Sequence, residues 1–334
     1  MFFPMKPPLS TFFSLMLLLG AAPAVSAQTA APEAPPPAKA EAAPAPPAEP
    51  VVRKAVPSPV DPNVIVDIDK LPHTIPADAK ITYSQTHTPG KVIAITFDDG
   101  PSPQNTPRLL DMLKERHIKA TFFLIGKSAA TWPDIVKRIV AEGHEVANHS
   151  WTHPQFTKIG TAKTMEELQL THDAIIKACG VTPIMFRPPY GAATLTQKKA
   201  IHERFGYTCV LWDVDPEDWK SPKSVEKVHD QVIGQTRPGS IILCHDIHKE
   251  TVDAMPVVLD ELKAKGYQFC TVTQIINLDA QTAKIAAEAK AKAEAEKAEE
   301  DKDKDKDKPK EPAEVIKKPE PAGAAATTEL PPGK

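Results

Sequence analysis

The sequence predicts an α/β fold with a parallel sheet, either doubly wound or closed into a barrel. Three observations carry this. Short apolar runs alternate with stretches of helical periodicity between residues 91 and 278. Seven such runs can be marked, and repeated strand-helix alternation is the pattern of βα units. The unusual polar residues fall at the carboxyl ends of the runs, where folds of this class gather their chemistry.

The first run is Val92-Ile93-Ala94-Ile95, followed by Leu109, Leu110 and Leu113 at helical spacing. Thr121 to Ile125 is the second strand, and Ile135, Val136, Ile139 and Val140 form the next helix stripe. Glu145-Val146-Ala147 is a third short strand, and Leu168, Ile175 and Ile176 mark the helix after it. Further strands are expected at Ile184 to Arg187, Cys209 to Asp213, Ile241 to Cys244 and Phe269 to Val272. Helices centred near Lys199, Val228 and Val258 separate them. Asp98-Asp99 follows the first strand, His149 the third, Arg187 ends the fourth, Asp213 and Asp215 end the fifth and His245 ends the sixth.

The flanks read differently. Half of the 36 prolines lie in residues 1–90, and no Phe, Trp or Tyr occurs between Gln28 and Thr82 or after Phe269. Segments without aromatics bury too little surface to offset the entropy of ordering. Residues 1–27 are expected to be a secretory signal peptide, with Lys6 ahead of the apolar run Phe12 to Leu19 and Val25-Ser26-Ala27 at the cleavage position. Residues 28–60 are an Ala/Pro-rich linker of polyproline character. Residues 61–90 are an N-terminal extension of the catalytic domain, left open in role. The tail, 279–334, is charged and of low complexity: an Ala, Glu and Lys stretch that favours a solvated helix, then alternating Asp and Lys. It is read as a solvated spacer, with an envelope contact as the sharper alternative. The expected product is an exported protein of the periplasm, cell envelope or exterior, with no transmembrane span once the signal is removed. A net charge of −3 argues against a nucleic-acid partner.

The chemistry is carried by five short stretches. Thr96-Phe97-Asp98-Asp99-Gly100 sets two carboxylates side by side, which repel unless a cation separates their roles. By itself such a pair can be no more than a helix cap. His149 and His153 stand at i and i+4, and one helical turn would bring both rings to one face, as a metal needs. Arg187-Pro188-Pro189-Tyr190-Gly191 is a stiff turn with an arginine fork suited to a carboxylate. Asp215-Pro216-Glu217-Asp218-Trp219 is an acidic loop with one large aromatic, and Leu243-Cys244-His245 ends a strand.

Taken together, TFDDG, HSWTH, RPPYG, DPEDW and LCH resemble, in order, the motifs of the polysaccharide deacetylases of carbohydrate esterase family four, the NodB-homology domain. The resemblance covers roughly Lys91 to Leu278, departs from the family pattern at none of the five, and is nearest to the peptidoglycan N-acetylglucosamine deacetylases. It implies a distorted (β/α) barrel of about seven parallel strands, one domain at 91–278 with disordered flanks. It implies that Asp99, His149 and His153 bind a metal, Zn2+ or Co2+ or another divalent first-row ion. Asp98 would be the general base, held by Arg187, and His245 the general acid, oriented by Asp218. The Tyr190 backbone N–H would stabilise the oxyanion. Trp219, Leu243 and Pro188 would contact substrate, the first two lining the acetyl pocket. The implied reaction is hydrolysis of the N-acetyl group of N-acetylglucosamine in a polysaccharide, peptidoglycan first. Chitin oligomers and O-acetylated xylan are the alternatives, and a non-catalytic carbohydrate-binding envelope protein is the alternative of another class. A nucleotide-binding enzyme is excluded because no glycine-rich phosphate loop follows the first strand.

The four cysteines are Cys179, Cys209, Cys244 and Cys270. If any pair is joined in an exported protein, Cys179 with Cys209 is expected, both being placed near the amino ends of neighbouring strands.

Overall fold

The computed structural model describes residues 64–306. The expected signal peptide, the linker and the end of the tail lie outside the described residues. Among the described residues there are eight strands: β1 (Thr82–Tyr83), β2 (Val92–Asp98), β3 (Thr121–Leu124), β4 (Glu145–Asn148), β5 (Met185–Phe186), β6 (Thr208–Val210), β7 (Ile241–His245) and β8 (Gln268–Phe269). The helices are α1 (Thr106–Glu115), α2 (Gly126–Thr131), α3 (Pro133–Ala141), α4 (Phe156–Cys179), α5 (Leu195–Phe205), α6 (Val225–Gln235), α7 (Lys249–Ala264) and α8 (Val272–Lys306).

The sheet order is β1-β6-β5-β4-β3-β2-β7, with β8 beside β2, and every strand pair is parallel. The two ends meet. Gln85, just after β1, bridges Ser240, and Val214, beyond β6, bridges Ile242 of β7. The sheet is thereby a distorted barrel rather than an open doubly wound sheet.

Every residue of β2 is buried, because side chains alternate between two covered faces. Ile93, Ile95 and Phe97 pack outward in the cluster that includes Leu109, Leu113, Val136 and Val258 of the surrounding helices. Val92 and Ala94 pack inward with Phe123, Ala147, Met185 and Val210. Val272, Ile275 and Ile276 of α8 and Leu71 join the same inner cluster. Apolar contacts from α8 and the N-terminal extension thus meet the residues at the start of β2. The next two inward residues of that strand, Thr96 and Asp98, are polar.

The structure alters several expectations. The extension supplies β1, and Tyr83 is buried against the inner cluster. The last strand is shorter than expected, because Thr271 turns the chain into α8: its hydroxyl accepts from Gln274 N–H at 3.3 Å and Gln274 Oε1 accepts from Thr271 N–H at 3.0 Å. Helix α8 then runs without a break across the boundary expected after Leu278. Asp279 is buried there, taking Lys80 Nζ at 2.8 Å and His87 N–H at 2.8 Å. Helix α2 lacks the stripe that marks the others, having six residues. All four cysteines are free thiols. The Cys179–Cys209 pairing is therefore corrected: Cys179 closes α4 with Sγ on Ile175 O at 3.2 Å, while Cys209 is buried in β6 within a different apolar cluster. Among the described residues no helix is long and apolar enough to cross a membrane.

Candidate active site

Parallel pairing sets the site. Asp98 at the end of β2 is in register with His245 at the end of β7, and Asn148 of β4 with Phe186 of β5, the residue before Arg187. Residues far apart in sequence therefore finish side by side on one end of the barrel.

Beyond Asp98 the chain turns sharply. Asp99 adopts left-handed backbone with φ 72°, which a non-glycine residue holds only where its surroundings demand it. Gly100 follows because a Cβ there would lie 2.5 Å from Asp246 Oδ1. Asp98 and Asp99 consequently diverge. Asp98 stays in the barrel with Oδ1 taken by Arg187, while Asp99 faces the two imidazoles.

Arg187 is fully buried. Its guanidinium donates to Asp98 Oδ1 at 2.6 Å, Thr96 Oγ1 at 2.8 Å and the carbonyls of Val210 and Leu211 at 3.1 Å each. It also lies 4.0 Å above the Phe123 ring. A buried guanidinium is tolerable only when paired and hydrogen-bonded in this way. Asp98 Oδ2, the oxygen that Arg187 does not take, is 3.6 Å from His149 Nε2.

The two histidines do not share a helical turn, as their spacing suggested. Residues 149–153 form a loop in which Ser150 (φ 69°) and His153 (φ 61°) are left-handed. This loop brings the ring centroids to 5.0 Å. His149 Nδ1 donates to Arg187 O at 2.8 Å, which turns Nε2 toward the carboxylates. His149 Nε2 is 3.4 Å and His153 Nε2 3.5 Å from Asp99 Oδ1. Burial pushes the His153 ring down to about 4, so it is neutral and able to ligate. Burial would raise the Asp99 carboxyl, but the His149 ring beside it holds it well below the usual carboxylate range.

The fit to a divalent cation can be judged from these contacts. One atom each from Asp99, His149 and His153 lies within 4.8 Å of the others. Asp99 Oδ1 is buried with no hydrogen-bond donor among the described residues. A buried carboxylate oxygen without a donor, facing two imidazole nitrogens, is the donor set that zinc and neighbouring first-row ions take.

The other expected residues stand around this triad. His245 donates Nδ1–H to Asp218 Oδ1 at 2.7 Å, and its backbone N–H goes to Asp218 Oδ2 at 2.8 Å. Burial would lower the His245 ring, but the Asp218 carboxylate, and then Asp98 and Asp99, raise it to about 9. Tyr190 is left-handed at φ 59° and 67% exposed, with its ring packed on His153 at 4.7 Å. Trp219 is 46% exposed beside the buried Asp218, and Leu243 and Pro188 are buried. Asp213 is not part of the cluster. It accepts Ile241 N–H at 2.7 Å, Ser240 Oγ at 3.0 Å and Arg237 at 3.1 Å, at the opposite end of β7. It fastens the barrel closure.

Two supporting residues left no mark in the sequence. Thr251 of α7 donates to Asp218 Oδ2 at 2.8 Å, and Glu167 of α4 accepts Thr152 N–H at 2.8 Å. Each is an ordinary helical residue whose partner is 33 or 15 positions away.

Fold and site together define a (β/α)-barrel protein with an Asp-His-His cluster that could hold a divalent cation. The profile of the family described as polysaccharide deacetylase matches residues 85–210. The peptidoglycan-N-acetylglucosamine deacetylase of Bacillus cereus is 38% identical over 196 residues, 58% of this chain and 69% of that protein. The chain belongs to the polysaccharide deacetylase family. The peptidoglycan-N-acetylglucosamine deacetylase PgdA of Listeria monocytogenes is 39% identical over 210 residues, covering 63% of this chain but only 44% of that longer protein. Among solved structures, the peptidoglycan deacetylase PdaC of Bacillus subtilis matches with a TM-score of 0.56 and 38% identity, over 60% of this chain and 96% of that one.

Proposed function

We propose that this protein is a metal-dependent deacetylase that hydrolyses the N-acetyl group of N-acetylglucosamine residues in peptidoglycan, after export to the cell envelope. The observation that carries the reading is the placement of two charge-paired groups at adjacent strand ends beside the cation triad. Asp98 is held by Arg187 at 2.6 Å, and His245 by Asp218 at 2.7 Å. The polymer is chosen because both named relatives and the solved neighbour are peptidoglycan deacetylases.

Asp99, His149 and His153 would hold Zn2+, Co2+ or a similar ion, which when bound supplies Lewis acidity to the acyl oxygen and the attacking water. The chain's own groups do the rest. Arg187 occupies Asp98 Oδ1, so Oδ2 is the oxygen that takes the proton from the attacking water. The Tyr190 backbone N–H donates to the oxyanion that forms as water adds to the acetyl carbon. His245, charged through its bond to Asp218, gives its proton to the departing nitrogen as the C–N bond breaks. Acetate and a free amine are the products. The exposed rings of Tyr190 and Trp219 offer flat surfaces on which pyranose rings pack.

The test is acetate release from peptidoglycan, chitin oligomers and acetylated xylan, each with zinc supplied and an Asp98→Asn control. Release from peptidoglycan alone, absent in the control, supports the full reading. Release from another polymer moves the substrate. Release from none with the cation bound favours a carbohydrate-binding role.

A further inference from the structure

We propose that Glu167 is a positioning residue: its carboxylate sets the spacing of the His149 and His153 rings and thereby the affinity for the cation. The inference rests on reading Asp99, His149 and His153 as a cation site.

Backbone N–H groups in a partly buried loop need acceptors wherever water cannot reach them, and their destinations can be counted. His149 N–H goes to Leu124 O at 2.9 Å, Ser150 N–H to Asn148 Oδ1 at 2.9 Å and His153 N–H to Ser150 Oγ at 3.0 Å. The two that remain belong to Trp151 and Thr152, which stand between the imidazoles. Both donate to Glu167 Oε2, at 3.0 and 2.8 Å. The Thr152 hydroxyl bonds Oε1 at 3.0 Å. On the other side of the loop, Gly126 and Lys127 at the start of α2 donate to the carbonyls of Ser150 and Trp151 at 2.9 and 3.3 Å. The loop is clamped between two helices.

Glu167 is 4% exposed and pairs with no Lys, Arg or His among the described residues. A carboxylate is seldom buried without such a cation. Here its donors all come from the loop that carries two cation ligands, one of them in strained left-handed backbone. Remove the carboxylate, and two partly buried N–H groups lose their acceptor while both rings lose the frame that holds them together.

The test compares three variants by zinc and cobalt titration against a chromophoric chelator, with the visible spectrum of the cobalt form. Glu167→Gln keeps an acceptor at the Oε2 position, and the Thr152 hydroxyl can reverse to suit it. Glu167→Asp keeps the charge but shortens the reach by one methylene. The Gln variant is expected to bind within about 3-fold of the unaltered chain, and the Asp and Ala variants roughly 10–100-fold more weakly. The cobalt bands of the Asp variant shift, and excess metal restores part of its lost turnover. An Asp variant that binds as tightly as the Gln variant, with unchanged bands, overturns the proposal. Should the Ala variant fail to fold, the Gln and Asp pair decides alone. A His149→Ala control separates the two readings: if it binds as tightly as the unaltered chain, the cation site is wrong, whatever Glu167 does.

Discussion

The backbone carbonyl of Arg187 accepts a hydrogen bond from His149 Nδ1 at 2.8 Å, while the guanidinium of the same residue grips Asp98 at 2.6 Å. One residue thus orients a proposed cation ligand through its main chain and the proposed base through its side chain. Substitution of the side chain separates the two.

Arg187→Lys keeps a charge but cannot span Asp98, Thr96 and two carbonyls at once. Turnover is expected to fall by roughly 10²-fold or more, with zinc affinity retained because the His149 acceptor is backbone. Arg187→Ala strands a buried carboxylate and is expected to lower stability by about 3–5 kcal/mol. Thermal unfolding and metal titration on both variants check this. Loss of zinc from a folded Lys variant would contradict it.

Asp98 and Asp99 are neighbours with opposite assignments. Asp98→Asn is expected to reduce acetate release by roughly 10²–10⁴-fold while the cation still binds. Asp99→Asn is expected to lose the cation. The reverse pattern would exchange their roles.

His245 predicts the alkaline limb of the pH profile. Its ring, raised to about 9, is charged below that pH and loses its proton as pH rises through it. Activity should therefore decline above about pH 9. Asp218→Asn removes the main cause of the shift, so the limb should move to lower pH. The same raised group stabilises the fold fully below about pH 6.5 and progressively less up to about 9. An unmoved alkaline limb in the Asn variant would remove Asp218 from this role.

Gly100 has no room for a side chain, since a Cβ would press on both Asp246 oxygens at 2.5 and 2.6 Å. Gly100→Ala is expected to lower stability by about 1–3 kcal/mol and to displace Asp99. Adding Asp246→Ala should recover part of the loss, because the two sites are in contact. Strict additivity in thermal unfolding would mean the clash is relieved elsewhere.

The thiols should all be found free by non-reducing mass mapping, since none is bridged. Burial pushes the Cys209 thiol up to about 11 and holds Cys244 and Cys270 well above the ordinary range, so alkylation should need unfolding. A mapped disulfide would reverse this.

Strand-helix alternation and its phase were legible in residues 91–278, because apolar spacing is a local property that follows from the strand and helix repeats. So was the fact that the unusual polar residues end strands. The five motifs carried the family resemblance and, with it, the expected roles. Tertiary structure alone decided the rest. It closes the sheet through Val214 and Gln85, adds β1 from a segment with no clear pattern and carries α8 past the expected boundary. It replaces the expected helical turn at His149 and His153 with a left-handed loop, and moves Asp213 from the site to the barrel seam. It also recruits Glu167 and Thr251, which no motif marks. The reason is physical: periodicity records which face of an element is buried, whereas a hydrogen bond between distant elements depends on where the sheet's register and closure put them.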